Sequence, residues 1–492
     1  MTRRIAEQPH DPPRSSEQSP EPPPERIFST GFGIPIRPKL EGDSISEPEG
    51  VSNSLKKRVY TIINTGLLIP GDGTPIEDAA LVIENKVIAW VGAQSQVPAQ
   101  YTDSPHGSHA IPYIMPGLWD CHAHFGGESP SGQGGDDSFS AIISNHPASA
   151  GARLARGCWE ALQRGYTSLR DVAGYGCEVA HAIDDGTIVG PNVYSAGACL
   201  SQTAGHGDVF SLPAGDMYLN LGVSSVRAGH FGTAQSMVVD GVDECRRAVR
   251  LQIRRGARCI KVFASGGVLS RDDNPLYAQF SPEELECVVA EAARQNRVVA
   301  AHVHGKPGIL AAVRAGVATV EHVSFADEEC IDLIKEKGTV YIATRTIVDL
   351  LLRSGGKGLS RSQWEKAQLC GKNHLQAYQL AIAAGVPIAL GTDTSPGFNM
   401  AMELDYAVQA GLDSLEAIKA ATANGPLSVG GQAPKTGQLK AGYEADILGL
   451  LKNPVDDVKV LQDNQTIGWV WKGGKLFKGP GIGPWGEDSF SG

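Results

Sequence analysis

Between residues 116 and 430 two hydrophobic patterns alternate. A short β-rich run that ends on polar residues gives way to a stretch whose apolar residues stand three and four apart. The runs are IMPGLWDCHAH, TSLRDVAG, NVYSAGACL, CIKVFASGG, VVAAHVHG, TVEHVSF, TVYIATRT and PIALGTD. In GVDECRRAVRLQIRRG, Val242, Cys245, Val249 and Ile253 share one helical face. Ser281-Pro282-Glu283-Glu284 opens the next helix. Ser281 can cap the free N–H groups, Pro282 suits the first turn, and Glu284 completes a capping box. Eight strands each followed by a helix predict an α/β fold, a (β/α)8 TIM barrel in preference to a doubly wound open sheet.

The two ends of the chain have a different texture. VYTIINTGLLIP, AALVIENKVIAWVG and AIPYIM, within 56–115, are short strands separated by Gly-Asp-Gly and Glu-Asn-Lys turns. ADILGLL and GWVWKGGKLFKG repeat that texture within 431–480. These segments predict the two parts of a small β-sandwich flanking a barrel domain at 116–430. Residues 1–55, rich in Pro, Glu and Ser, predict a disordered tail, and 481–492 a short C-terminal tail. The N-terminal arginines are not followed by an apolar h-region, and no run reaches the ~18 apolar residues of a membrane span. This pattern favours a cytoplasmic protein, with secretion as the alternative.

The chain has 492 residues, more than the roughly 250–300 that one core usually holds, which agrees with a large domain plus a smaller one. Its net charge of −11 argues against nucleic acid or an anionic membrane as partner. Nine cysteines without a C-x-x-C pair signal neither a disulfide framework nor a thiolate zinc site.

Candidate chemistry sits where the β-rich runs end: His122, His124, Lys261, His302, His322 and Asp393. Residues two apart on a strand point to the same side, so His122 and His124 can reach one cation at about 2.0–2.1 Å. Lys261 falls in a run that a barrel would bury, where a bare ammonium is costly unless paired. Pairing with a carboxylate such as Asp171 is one solution. Reaction with CO₂ is the other, and the resulting carbamate has two oxygens suited to bridging two divalent ions. His302 and His304 share a face, and His302 is read as the metal ligand. Asp393 can bind a metal and accept a proton. A nitrogen and oxygen ligand set suits Zn²⁺, with Mn²⁺ or Co²⁺ also fitting. Two such ions sharing a hydroxide would supply a strong nucleophile at neutral pH. His206, in TAGHGD, and His304 are candidates for contacting a scissile carbonyl or a substrate carboxylate. Arg271, past Gly266-Gly267, is a candidate pocket residue.

Taken together, PGLWDCHAHF, IKVFASGG, AHVHG, EHVSF and GTDTSP resemble the amidohydrolase superfamily over residues 58–480. The resemblance implies a binuclear zinc centre. His122, His124 and Asp393 would hold the first metal, His302 and His322 the second, and N6-carboxylated Lys261 would bridge them. It further implies an amidase or carboxypeptidase-like hydrolase. Its substrates would be small-molecule amides such as N-acyl aromatic amino acids, with ochratoxin A, cut to ochratoxin α and L-phenylalanine, foremost. A homo-oligomer, an octamer, is implied as well. An Xaa-Pro dipeptidase-like activity and an imidazolonepropionase-like opening of a cyclic amide are the rival activities. A metal-free assembly protein is the rival outside enzymes.

Overall fold

The structure, a computed structural model, describes residues 59–127, 146–208 and 235–487, together with the backbone of 28–29 and 35–36. The chain divides into two compact units, Met1–Lys56 and Lys57–Gly492. In the first, β1 (Phe28–Ser29) and β2 (Pro35–Ile36) form an antiparallel pair. The rest of the expected 1–55 tail lies outside the described residues, as does 488–492 of the C-terminal tail.

In the second unit both chain ends contribute to one seven-stranded sheet. Its early strands are β3 (Tyr60–Leu68), β4 (Ile76–Glu84), β5 (Val87–Ala93) and β6 (His106–Pro116). The parallel layer comes next in the chain. It comprises β7 (Leu118–Phe125), β8 (Tyr166–Gly174), β9 (Asn192–Ser195), β10 (Cys199–Ser201), β11 (Ser236–Val238), β12 (Ile260–Phe263), β13 (Val299–Val303), β14 (Thr319–His322) and β15 (Val340–Ile342). The chain then returns to the first sheet with β16 (Ile447–Leu450), β17 (Ile467–Lys472) and β18 (Lys475–Lys478). The seven-stranded order is β18-β17-β16-β6-β3-β4-β5, and only β3 and β6 run parallel. Ile63, Leu81, Ile114, Ile447 and Trp471 pack into one apolar cluster, so the joining of the ends is a burial of side chains as well as a ladder.

The parallel strands form two sheets, β7-β8-β9 and β11-β10-β12-β13-β14-β15, rather than one continuous closed ladder. Two local causes are visible. The expected third strand breaks into β9 and β10 at Gly197, whose φ of 70° turns the chain. The expected eighth strand, Pro387–Asp393, is not a strand. It is tied by the single bridges Tyr341↔Ile388 and Ala123↔Thr394. Pro387 has no N–H to donate, and Asp393 has φ 59°, outside the extended region. Hydrogen bonds still run along this segment to both sheets: Tyr341 N to Pro387 O (2.9 Å), Cys121 N to Leu390 O (2.8 Å) and Asp393 N to His122 O (2.7 Å).

Between the strands the helical pattern is realised. Helix Val242–Arg255 buries Cys245, Ala248, Val249 and Gln252, while Val242 and Ile253 are only part-buried, so its inner face is slightly rotated from the expected one. Helix Pro282–Ala293 begins with the expected box: Glu284 N donates to Ser281 Oγ (3.3 Å) and Ser281 N to a Glu284 oxygen (2.6 Å). Two later helices, Arg345–Arg353 and the long Arg361–Ala383, pack against each other.

Candidate metal centre and its cavity

The C-terminal ends of the parallel strands surround a cavity of about 230 Å³. His122, His124, Lys261, His302, His322 and Asp393 all line it, and so do His206 and His304. Its other wall is apolar. Ile347, Val348 and Leu351 come from helix Arg345–Arg353, and Ala367 and Cys370 from helix Arg361–Ala383. Four residues at this rim have left-handed backbone: His322 (φ 69°), Val323 (55°), Thr344 (55°) and Asp393 (59°). Such conformations cost of order 1–3 kcal/mol each and collect at functional sites. Gly391 allows the eighth segment to approach β7, because a Cβ there would stand 2.7 Å from His122 N.

His122, His322 and Asp393 each offer a ligand atom within 4.8 Å of the others, close enough for one cation. Asp393 Oδ1 lies 2.8 Å from His124 Nε2 and 3.6 Å from His122 Nε2. Asp393 Oδ2 lies 3.9 Å from His322 Nδ1. Burial raises the Asp393 carboxyl pKa, but His122, His124 and Lys261 outweigh it and bring the value down to about 2. Burial and the Lys261 charge push His122 down to about 4, so its ring is neutral at pH 7 and able to ligate. His302 stands slightly apart from this trio. Its Nε2 lies 3.2 Å from Gly266 O, its ring is stacked 4.4 Å from His206, and its centroid is 4.6 Å from His322. His304 Nδ1 bonds Ser324 Oγ (2.8 Å), and its ring stacks on His322 at 5.0 Å.

Lys261 is 1% exposed, and its Nζ has no hydrogen-bond partner among the described residues. Burial lowers its pKa, with Glu321 opposing. Asp171, the carboxylate considered as its partner, is committed elsewhere. It accepts from Ser195 Oγ (2.6 Å), Phe125 N, Ala173 N and Gly176 N (each 3.1 Å). An orphaned buried amine beside three histidines and a carboxylate fits a residue that acquires an anionic group and metal ions.

Three buried residues were not singled out from the sequence. Arg170 Nη2 donates to Glu321 (2.7 and 2.9 Å), and Glu321 Oε2 accepts from His122 Nδ1 (2.7 Å). This leaves Nε2 as the nitrogen of His122 that could ligate a cation. Asp120 accepts from His122 N (2.9 Å), Thr392 N (3.1 Å) and Thr392 Oγ1 (2.6 Å), tying β7 to the segment that carries Asp393. The only sequence signal for this group is charge inside strand runs: TSLRD buries Arg170 and Asp171, TVEH buries Glu321 and LWDCH buries Asp120.

Arg271 is not brought to the cavity. Its loop turns Ser270 and Asp273 inward, while the Arg271 side chain is 52% exposed and 3.8 Å from Asp272.

Comparisons with known proteins agree with this geometry. The Amidohydrolase family model matches residues 113–477. The chain is 59% identical to ochratoxinase of Aspergillus niger over 458 residues, 92% of this chain and 94% of that one. The crystal structure of A. niger ochratoxinase superposes with a TM-score of 0.84 at 61% identity, covering 88% of this chain and 99% of that one. A Xaa-Pro dipeptidase structure with bound methionine superposes with a TM-score of 0.72 at 27% identity, covering 85% and 100%. Imidazolonepropionase of Rhodococcus jostii is 26% identical over 86% of this chain and 96% of its own length.

Proposed function

This chain belongs to the amidohydrolase family, and on that premise we propose that it is a binuclear, zinc-dependent amide hydrolase that cleaves ochratoxin A to ochratoxin α and L-phenylalanine. Related N-acyl aromatic amino acids would be further substrates. The observation that carries the reading is the amine of Lys261, without a hydrogen-bond partner among the described residues, in the cavity it lines with His122, His322 and Asp393. In this proposal the two sheets and the eighth segment act as one closed barrel, the terminal strands as its β-sandwich, and the protein assembles as a homo-octamer.

His122, His124 and Asp393 would hold one ion, His302 and His322 the other, and carboxylated Lys261 would bridge them. When bound, the ions supply an activated water and polarise the amide carbonyl. Everything else falls to the chain. Asp393, whose carboxylate oxygens reach His124 and His122 in the cavity, takes the proton of the attacking water and delivers it to the leaving nitrogen. His304 and His206 line the cavity from which the carbonyl oxygen or the substrate carboxylate would be held. The Ile347–Leu351 and Ala367–Cys370 wall offers the apolar surface that an aromatic group needs.

The test is release of free L-phenylalanine from ochratoxin A and N-acyl-phenylalanines, with Xaa-Pro dipeptides and imidazolonepropionate run alongside. Loss of release with chelator and its return with Zn²⁺ are expected. Turnover of the dipeptides alone would replace the reading by the dipeptidase one, which the 0.72 structural match favours as runner-up. One metal per chain with cyclic-amide opening would replace it by the other.

A further inference from the structure

Helix Arg361–Ala383 does two things at once. Its Ala367 and Cys370 form part of the apolar cavity wall. Its first turns also strap down the loop that follows β12. Gln363 Nε2 donates to Leu269 O (2.5 Å), and Lys366 Nζ donates to Ser270 O (2.7 Å), Asp273 O (3.2 Å) and Asp273 Oδ1 (3.1 Å). Lys366 is 8% exposed, and the Asp273 side chain is 2% exposed. A buried pair of this kind adds little net stability, so its placement asks for another explanation.

The pair leads to His206. Asp273 Oδ1 accepts from Ser270 Oγ, and Asp273 Oδ2 accepts from Gly267 N (2.7 Å). With the serine hydroxyl directed at the carboxylate, Ser270 Oγ is left to accept from His206 Nδ1 at 2.8 Å, and Asp273 Oδ2 stands 3.5 Å from the same nitrogen. The ring is boxed in on its faces. It stacks on His302, meets Phe263 edge-on at 4.8 Å, and lies so close to Gly267 that a Cβ there would stand 2.1 Å from its Cε1. Lys366, Asp273, Ser270 and His206 therefore form a buried chain from the outer helix to the cavity.

We infer that Lys366 and Asp273 are positioning residues for the hydrolysis. Through Ser270 they hold the His206 imidazole in one tautomer and one orientation against His302, so that the helix forming the apolar wall also sets the polar contact that engages the substrate. The inference rests on the proposed hydrolase reading for its kinetic consequence but not for its structural one. A substrate whose aromatic group packs on Ala367 and Cys370 pushes on the helix that aims His206, which links selection of the side chain to alignment of the amide.

Two readouts test it. In the first, kcat and KM for N-acyl-phenylalanine are measured for Lys366→Met, Lys366→Arg, His206→Gln and the double variant Lys366→Met/His206→Gln. Lys366→Met is expected to lower kcat/KM roughly ten- to a hundredfold, the range for lost outer-shell orientation. Metal content per chain is expected to stay near that of the parent, whereas Tm is expected to fall because Asp273 is left buried without its cation, so all variants are compared well below the lowest Tm. Lys366→Arg should recover most of the loss, and the double variant should be no worse than His206→Gln alone. Losses that multiply in the double variant would overturn the inference. In the second readout, histidines are isotopically labelled and the His206 ring signals, identified by their absence in His206→Gln, report the tautomer without any turnover. A shift to the other tautomer or to a mixture is expected in Lys366→Met and Asp273→Asn. Unchanged His206 signals in both would overturn the inference even if activity fell. If no amide is hydrolysed the proposed function fails, and the ring signals alone decide the positioning role.

Discussion

Two cations are buried in the parallel-strand layer, and they are treated in opposite ways. Arg170 on β8 is fully buried. Its guanidinium donates to Cys121 O, Thr319 Oγ1 (2.9 Å), Ser428 O (3.2 Å) and both oxygens of Glu321. Lys261 on β12 is as deeply buried, and its amine has no partner among the described residues. A planar fork with five donors suits permanent charge in a dry interior, whereas an ammonium on a flexible stem loses its charge more readily. Burial of Arg170 is thus structural, and on the proposed reading burial of Lys261 prepares it for chemistry. The one carboxylate that could neutralise both, Glu321, is engaged by Arg170 and His122, which keeps Lys261 available.

The sharpest way to break this contrast is to remove each cation in turn. Lys261→Met should abolish measurable amide hydrolysis, by more than about a thousandfold, equivalent to ~4 kcal/mol of barrier. Bound metal should fall with it, while Tm, compared between the two proteins stripped of metal, holds or rises because a buried unpaired amine has gone. A marked fall in Tm on thermal denaturation would show that Lys261 is a structural cation after all. Arg170→Met should do the reverse. It leaves Glu321 buried without its partner, a loss of about 3–5 kcal/mol in denaturant unfolding. Full stability in that variant would mean that Arg170 is not the structural half of the pair.

Glu321→Gln sharpens the comparison, since it alters the link between Arg170 and the proposed metal ligand His122 with little change of shape. It should weaken metal affinity roughly ten- to a hundredfold, measured by competition with a chelator. Unchanged affinity would show that His122 needs no carboxylate to orient it. This link also marks the limit of what was legible in the sequence. That His122, His124, Lys261, His302, His322 and Asp393 come together in one cavity could be read because strand alternation and strand ends are local patterns. The partners could not, because nothing in the spacing of TSLRD and TVEH says that Arg170 and Glu321 face each other across 151 positions. The same limit applies to Arg271, which is exposed while its neighbours Ser270 and Asp273 bond Lys366, 93 and more positions further on. The strands were legible for their apolar runs. The splitting of the ring into two sheets was not, because it turns on single left-handed residues such as Asp393.

The smallest expected effect concerns a buried group with the opposite charge. Glu403 is 1% exposed and accepts from Arg345 N (2.8 Å), Thr346 N (2.7 Å) and Thr346 Oγ1 (2.6 Å) at the start of the helix that carries Ile347 and Leu351. Burial raises its pKa to about 7, against the three hydrogen bonds that lower it. A carboxyl whose folded pKa lies above its unfolded value contributes stability that is complete below the unfolded pKa and is lost as pH rises through the folded one. Glu403 should therefore take away about 1 kcal/mol between pH 6 and pH 7, in the window just below its folded pKa. Glu403→Gln cannot ionise, so the stability difference between the two proteins should shift by about 1 kcal/mol in favour of the variant as pH rises over that interval. Parallel curves would mean that this carboxyl titrates outside the window, and that the wall of the cavity, unlike the strand ends opposite, carries no proton-linked group.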